Sequence, residues 1–215
     1  MRLQARLAAV GCLLFLSVNT WASLSLPTTG SAGIGLADTN YKLSYDDGLG
    51  DPLVPLTAYG VANQAPGAWI NAPAGSQWIE PIYFDSPYNI RAGDYYYELD
   101  FSIPGLLSVS GQFTSDNNAE ILLNGVSTGI TTPFEGYNAL YSFSLTSGFT
   151  ANNKLVFHVS EDGLNSPTGL LVAALTAEVT PPPPPPPPPP SNPVPAPGAA
   201  VLVLIGLGMI RRRVR

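Results

Sequence analysis

One histidine, one cysteine and fifteen carboxylates set what chemistry this 215-residue sequence can attempt. A nucleophilic triad would have to use His158, and no Gly-x-Ser-x-Gly elbow offers it a serine. His158 falls in a run where Leu155, Phe157 and Val159 alternate with other residues, the pattern of a surface position on a strand. Paired carboxylates can do acid–base work, but no spacing singles out a pair. The sequence therefore reads as that of a non-enzyme.

Residues suited to binding are better represented. A sugar ring is held by an aromatic face ringed with carboxylate and amide hydrogen bonders. Trp69, Trp78, Tyr88 and Tyr96 can supply faces; Asp116, Asn117, Asn118 and Asn124 can supply the polar groups. Trp69 lies in a Pro/Gly-rich stretch and is expected to be the most exposed of these aromatics. Each residue also has a plainer reading, with Trp78 in the core and Asp116-Asn117 in an Asx-type turn. Asp46, Asp47 and Asp51 cluster in a Gly-containing loop, an oxygen-rich set suited to calcium. Their spacing matches no EF-hand, and a solvated acidic loop is the simpler alternative. No other cofactor is expected.

The charges are segregated. Basic residues concentrate at the two ends, leaving Lys42, Arg91 and Lys154 against all fifteen acids between them, a formal −12. Such a segment repels a phosphate backbone, which argues against nucleic-acid binding.

The ends read as addresses. Arg2 and Arg6 precede the apolar stretch Leu7 to Val18, and Thr20-Trp21-Ala22 offers small residues for cleavage. This is the layout of a secretory signal over residues 1–22. Cys12 lies within it, and the preceding Ala9-Val10-Gly11 lacks the leucine of a lipidation site. Without Cys12 the exported chain has no disulfide, thiolate metal site or cysteine nucleophile. At the other end, Pro181 to Pro190 is an uninterrupted run. Proline rings fix φ and remove donors, so this linker (180–192) is expected as a polyproline II spacer of roughly 30 Å. The apolar run Gly198 to Ile210 follows, then Arg211-Arg212-Arg213-Val214-Arg215. As a helix, 198–210 spans about 20 Å against a core of about 30 Å, a marginal membrane anchor with its arginines kept inside.

This tail, residues 193–215, resembles the PEP-CTERM sorting signal: a Pro-X-Pro motif (Pro195-Ala196-Pro197), a short transmembrane segment and the Arg211–Arg213 cluster. Ala196 stands where that family usually has Glu. The resemblance implies export, transient inner-membrane anchoring and processing by an exosortase-type enzyme at the envelope of bacteria that often make exopolysaccharide.

The middle, 28–179, must position the candidate residues, and its signals are those of strands. Tyr95, Tyr97, Leu99, Phe101 and Ile103 share one face, with Asp94, Tyr96, Glu98, Asp100 and Ser102 on the other. Further strands are expected at Tyr41–Asp46, Gln77–Phe84, Leu107–Thr114, Glu120–Leu123, Leu140–Leu145, around Leu155–Val159 and at Gly169–Glu178. Asn124-Gly125 is a tight-turn signal. Eight or nine such strands predict an all-β sandwich of jelly-roll type. The stretch Gly111-Gln112-Phe113-Thr114-Ser115-Asp116-Asn117-Asn118-Ala119-Glu120-Ile121-Leu122-Leu123-Asn124-Gly125, downstream of Trp69 and Trp78, resembles galactose-binding-like β-sandwich domains. That resemblance implies a non-catalytic surface module, associating with exopolysaccharide. The alternative is a structural surface protein or adhesin with a protein partner.

Overall fold

The computed structural model describes residues 21–61, 68–81, 91–163 and 166–181, with 185, 186 and 188. Contacts divide the chain into Met1–Pro181 and Pro182–Arg215. The expected sorting tail and most of the expected signal and linker lie outside the described residues. Among the described residues no helix is long and apolar enough to cross a membrane.

The described strands are β1 (Ala22–Ser25), β2 (Tyr41–Asp46), β3 (Val54–Leu56), β4 (Tyr59–Val61), β5 (Trp78–Glu80) and β6 (Gly93–Phe101). They continue as β7 (Leu106–Asp116), β8 (Asn118–Leu123), β9 (Val126–Thr131), β10 (Tyr141–Leu145), β11 (Asn153–Glu161) and β12 (Gly169–Val179). One sheet runs β10-β7-β12-β5-β4, with β1 also on β12; the second runs β3-β2-β6-β11-β8-β9. The strand pairings are antiparallel, and the domain is an all-β sandwich.

Alternation decides what faces inward. Along β6 the residues Tyr95, Tyr97 and Leu99 are buried while Tyr96, Glu98 and Asp100 are not, because successive side chains point to opposite faces. Tyr41, Leu43 and Tyr45 on β2 and Leu155, Phe157 and Val159 on β11 extend the same inner layer. Facing them from the first sheet are Val109, Phe113, Phe143, Leu170, Val172 and Leu175. The two layers meet where Phe113 lies 5.5 Å from Phe157 and packs edge-on at 5.6 Å against Phe143.

β12 departs from alternation: Gly169 to Ala173 are all buried. Its outer side is covered by the segment carrying Trp69, which packs with Trp78, Leu171 and Val61 in a second apolar cluster. Further along β12, Ala174 and Leu175 together oppose Gly111 of β7, a bulge of one extra residue. Ala174 takes up the turn with φ +50 and Leu175 is swung into the core. A side chain at position 111 would be crowded there, its Cβ meeting Leu175 Cδ1 at 3.0 Å and Phe143 Cε1 at 3.2 Å, so these neighbours would have to give way by a few tenths of an ångström.

Four strands were not expected from sequence. β1 and β3 are exposed along their whole length, β4 has three residues, and β9 is a largely exposed edge interrupted by Gly129. None carries the apolar alternation of a half-buried strand. β1 begins at Ala22, the last residue of the expected signal, and pairs Ala22 with Val179.

Candidate functional site

The structure brings three of the expected ligand residues, Trp69, Asp116 and Asn117, together and sets Asn124 apart. Asn117 precedes β8 and Asn124 follows it, so they sit at opposite ends of that strand, roughly 20 Å apart at about 3.3 Å per residue. Asn124 is engaged by the β10–β11 loop and the start of β11: its amide nitrogen donates to Gly148 O (2.8 Å) and Asn153 Oδ1 (3.2 Å), and its Oδ1 accepts Lys154 N–H (2.9 Å). With φ +53 it opens the β8–β9 hairpin as the sequence suggests. A cavity of about 600 Å³ lies beside it, lined by Val126, Ser127, Thr128, Ser144 and Thr146 among others.

Trp69, expected to be exposed, is 3% exposed. Its indole stacks on Trp78 at 4.2 Å, and its Nε1–H donates to Asp116 Oδ2 at 2.8 Å. The outer face of β12 needs an apolar cover at Leu171, and Trp69 supplies it. Trp78 is a core residue whose Nε1–H donates to Ile70 O at 3.0 Å.

Asp116 and Asn117 belong to a buried polar group at the end of the sandwich. The Asn117 amide donates to Glu161 Oε1 (3.2 Å) and Asp162 Oδ1 (2.9 Å), and Thr168 Oγ1–H donates to Asp116 O (2.7 Å). Burial raises three carboxyls here. Glu80 is pushed to about 8 with Asp116 adding repulsion, Glu161 to about 7 despite hydrogen bonds from Gly163 and Asn117, and Asp116 to about 6 despite the Trp69 N–H. Glu80 Oε1 and Glu161 Oε2 are buried without a hydrogen-bond partner. Protonation is the physical answer to such a group, since an unpaired buried charge is costly. Of these carboxyls only Asp116 stood out in the sequence; Glu80 and Glu161 left no trace there.

Asp46 Oδ1 accepts Gly48 N–H (2.8 Å) and Asp47 Oδ1 accepts Leu49 N–H (2.9 Å), so two of the three loop aspartates close their own turns. Asp51 is exposed. Among the described residues no group of three or more His, Cys, Asp or Glu side chains is arranged to hold a metal ion.

The outer face of the second sheet brings together residues that sequence spacing did not connect. Strand register sets Pro55, Ser44, Tyr96 and His158 in one row across β3, β2, β6 and β11. Tyr96 and His158 stack at 4.6 Å, with planes 9° apart. Asp94 Oδ1 lies 2.7 Å from His158 Nε2 and also accepts Ser160 Oγ–H at 2.7 Å. Ser160 thus spends its proton on the carboxylate, and in this arrangement the imidazole is not its base. On its other side, among the described residues, the register sets Ser44, too short to cover an aromatic ring. A shelf results, with Tyr96 as one wall, Ser44 as floor and Pro55 two strand spacings away, about 10 Å. Tyr88, Pro195, Ala196, Pro197, Arg211, Arg212 and Arg213 lie outside the described residues.

No protein-family model and no curated protein sequence matches the chain. Solved structures to which the chain is similar include a GH31 α-xylosidase from Xanthomonas citri, at 10% identity and TM-score 0.36, covering 74% of this chain; the chain spans 17% of that enzyme. A family 35 carbohydrate-binding module from an environmental isolate is 11% identical with TM-score 0.33, covering 65% of this chain and 98% of the module. The CBM36-1 domain of a xylanase from the hindgut metagenome of Trinervitermes trinervoides is 12% identical with TM-score 0.29, over 64% and 96%. Likeness at this level carries no argument about function.

Proposed function

We propose that this chain is an exported, non-catalytic envelope or matrix protein that associates with exopolysaccharide through the outer face of its second sheet. The observation supporting this is the Tyr96–His158 stack on a half-exposed outer face, with the short Ser44 as the cross-strand neighbour of Tyr96 on β2. Aromatic faces take the apolar side of a sugar ring, and Asp94 and Ser160 in the adjoining row offer groups to its hydroxyls. The signal-like N-terminus and the basic-ended tail supply the address: export, transient anchoring by 198–210, and processing by an exosortase-type enzyme near Pro195-Ala196-Pro197. The test of the binding role is a glycan array probed with the full chain, with and without calcium. Binding to no glycan in either condition would defeat it. For the address, deleting Gly198 to Arg215 is expected to release the chain unprocessed into the medium; unchanged attachment would contradict that.

A second reading, a surface protein or adhesin with a protein partner, draws on the β2–β3 hairpin. There Leu49 is 81% exposed, Leu53 is exposed just before the edge strand β3, and Val54 and Leu56 are exposed on it. Substituting Leu49 and Leu53 by Ser distinguishes the two, since only adhesion to protein should fall.

A further inference from the structure

We infer that the glycan taken by the Tyr96 shelf is neutral or carries free amino groups, and is not a uronate; this rests on the carbohydrate reading above. The argument is the charge of the face around the shelf. By strand alternation, the outer side of β2, β6, β11 and β8 carries Asp46, Asp94, Glu98, Asp100 and Glu120, against two lysines, Lys42 and Lys154.

Both lysines are already paired with carboxylates of the same face, which offsets their charge toward an incoming uronate. Lys42 is bonded to Asp100 and lies 3.9 Å from Glu98; Lys154 Nζ lies 2.7 Å from Glu98 Oε2. The imidazole is no freer, since Asp94 meets its Nε2 and Glu120 stands opposite it across β8. Two positions along the strands from the shelf floor, Asp46 and Asp94 face one another. A uronate entering over Ser44 would bring its charge toward that pair; the cation at that end is Arg91, in the exposed segment before β6, whose charge is felt at Tyr45 and Tyr95, and it leaves the face acidic on balance. An ammonium on an amino sugar would find Asp46 and the exposed edge of Asp94 instead. A neutral ring meets neither penalty nor gain and relies on Tyr96. These are surface charges, so the discrimination is electrostatic and falls as salt screens distances beyond about 8 Å.

The test is binding of the full chain to immobilised neutral glucans and mannans, to chitosan as free-amine polymer, and to alginate and pectate as uronates, at low and high salt. The expected result is binding to neutral or amine polymers with uronates weaker by about tenfold at low salt, and a gap that narrows as salt rises. The variant Glu98→Gln with Asp100→Asn releases both lysines at partly exposed positions and is expected to recover uronate binding. Uronates bound as tightly as neutral polymers at low salt would overturn the charge selection while leaving the carbohydrate reading intact. Binding to none of the polymers would overturn both.

Discussion

The indole N–H of Trp69 donates to Asp116 Oδ2 at 2.8 Å, fastening a segment outside the first sheet to the end of β7. The acceptor belongs to a group of carboxyls that burial has made reluctant to ionise, with Glu80 and Glu161 beside it.

This group reverses the usual pH dependence of carboxylate-rich proteins. Each of the three binds its proton more tightly folded than unfolded, so the folded chain holds more protons between about pH 4 and 8. Their contribution is fully present below the unfolded values near 4 and is lost as pH rises through 6, 7 and 8 in turn. Thermal melts are expected to show stability falling across that window, and Glu80→Gln is expected to flatten the fall. A profile rising from pH 5 to 8 would show the group to be ionised and matched.

Replacing Trp69 by Ala should cost about 3–5 kcal/mol, the range for a large buried aromatic. Trp69→Phe keeps the ring but leaves Asp116 without its indole donor, and should cost about 1–3 kcal/mol. Denaturant titration separates the two. An exposed Trp69, as its Pro/Gly-rich setting suggested, would give changes within about 0.5 kcal/mol.

The bulge on β12 gives a pair of opposite expectations. Gly111→Ala places a methyl against Leu175 and Phe143 and should destabilise by about 1–3 kcal/mol. Ala174→Gly, at an exposed position with φ +50, should be neutral or stabilise by about 0.5 kcal/mol, relief of strain exceeding glycine's entropy cost. Equal destabilisation by both would mean that the bulge is misplaced.

Asn124 distinguishes turn from ligand. Asn124→Ala removes three hydrogen bonds and strains the backbone, and should lower the melting temperature; Asn124→Gly should restore the backbone but not the bonds. Neither should alter glycan binding measured below the melting range. A selective loss of binding in Asn124→Gly would return this residue to the ligand site.

What sequence revealed followed from periodicity. β2, β6, β7, β8, β10, β11 and β12 are half-buried or core strands, and their apolar residues recur every second position or in continuous runs. The edges β1, β3 and β9 bury too little to leave a pattern. Trp69 misled because a proline- and glycine-rich setting describes local backbone, whereas its burial comes from Leu171 about a hundred residues away. The Tyr96–His158 pairing was illegible for a similar reason: each residue shows only that it faces outward, and register alone makes them neighbours. The raised carboxyls of Glu80 and Glu161 depend wholly on tertiary burial.

The most direct measurement is glycan binding by the full chain and by Tyr96→Ala, in parallel with the melting temperature of each. Removing a half-exposed outer-face side chain should leave the fold intact, and loss of the stacking surface should weaken binding at least about tenfold, equivalent to about 1.4 kcal/mol. A Tyr96→Ala chain that stays folded and binds the same glycan with unchanged affinity would contradict the shelf as the carbohydrate site.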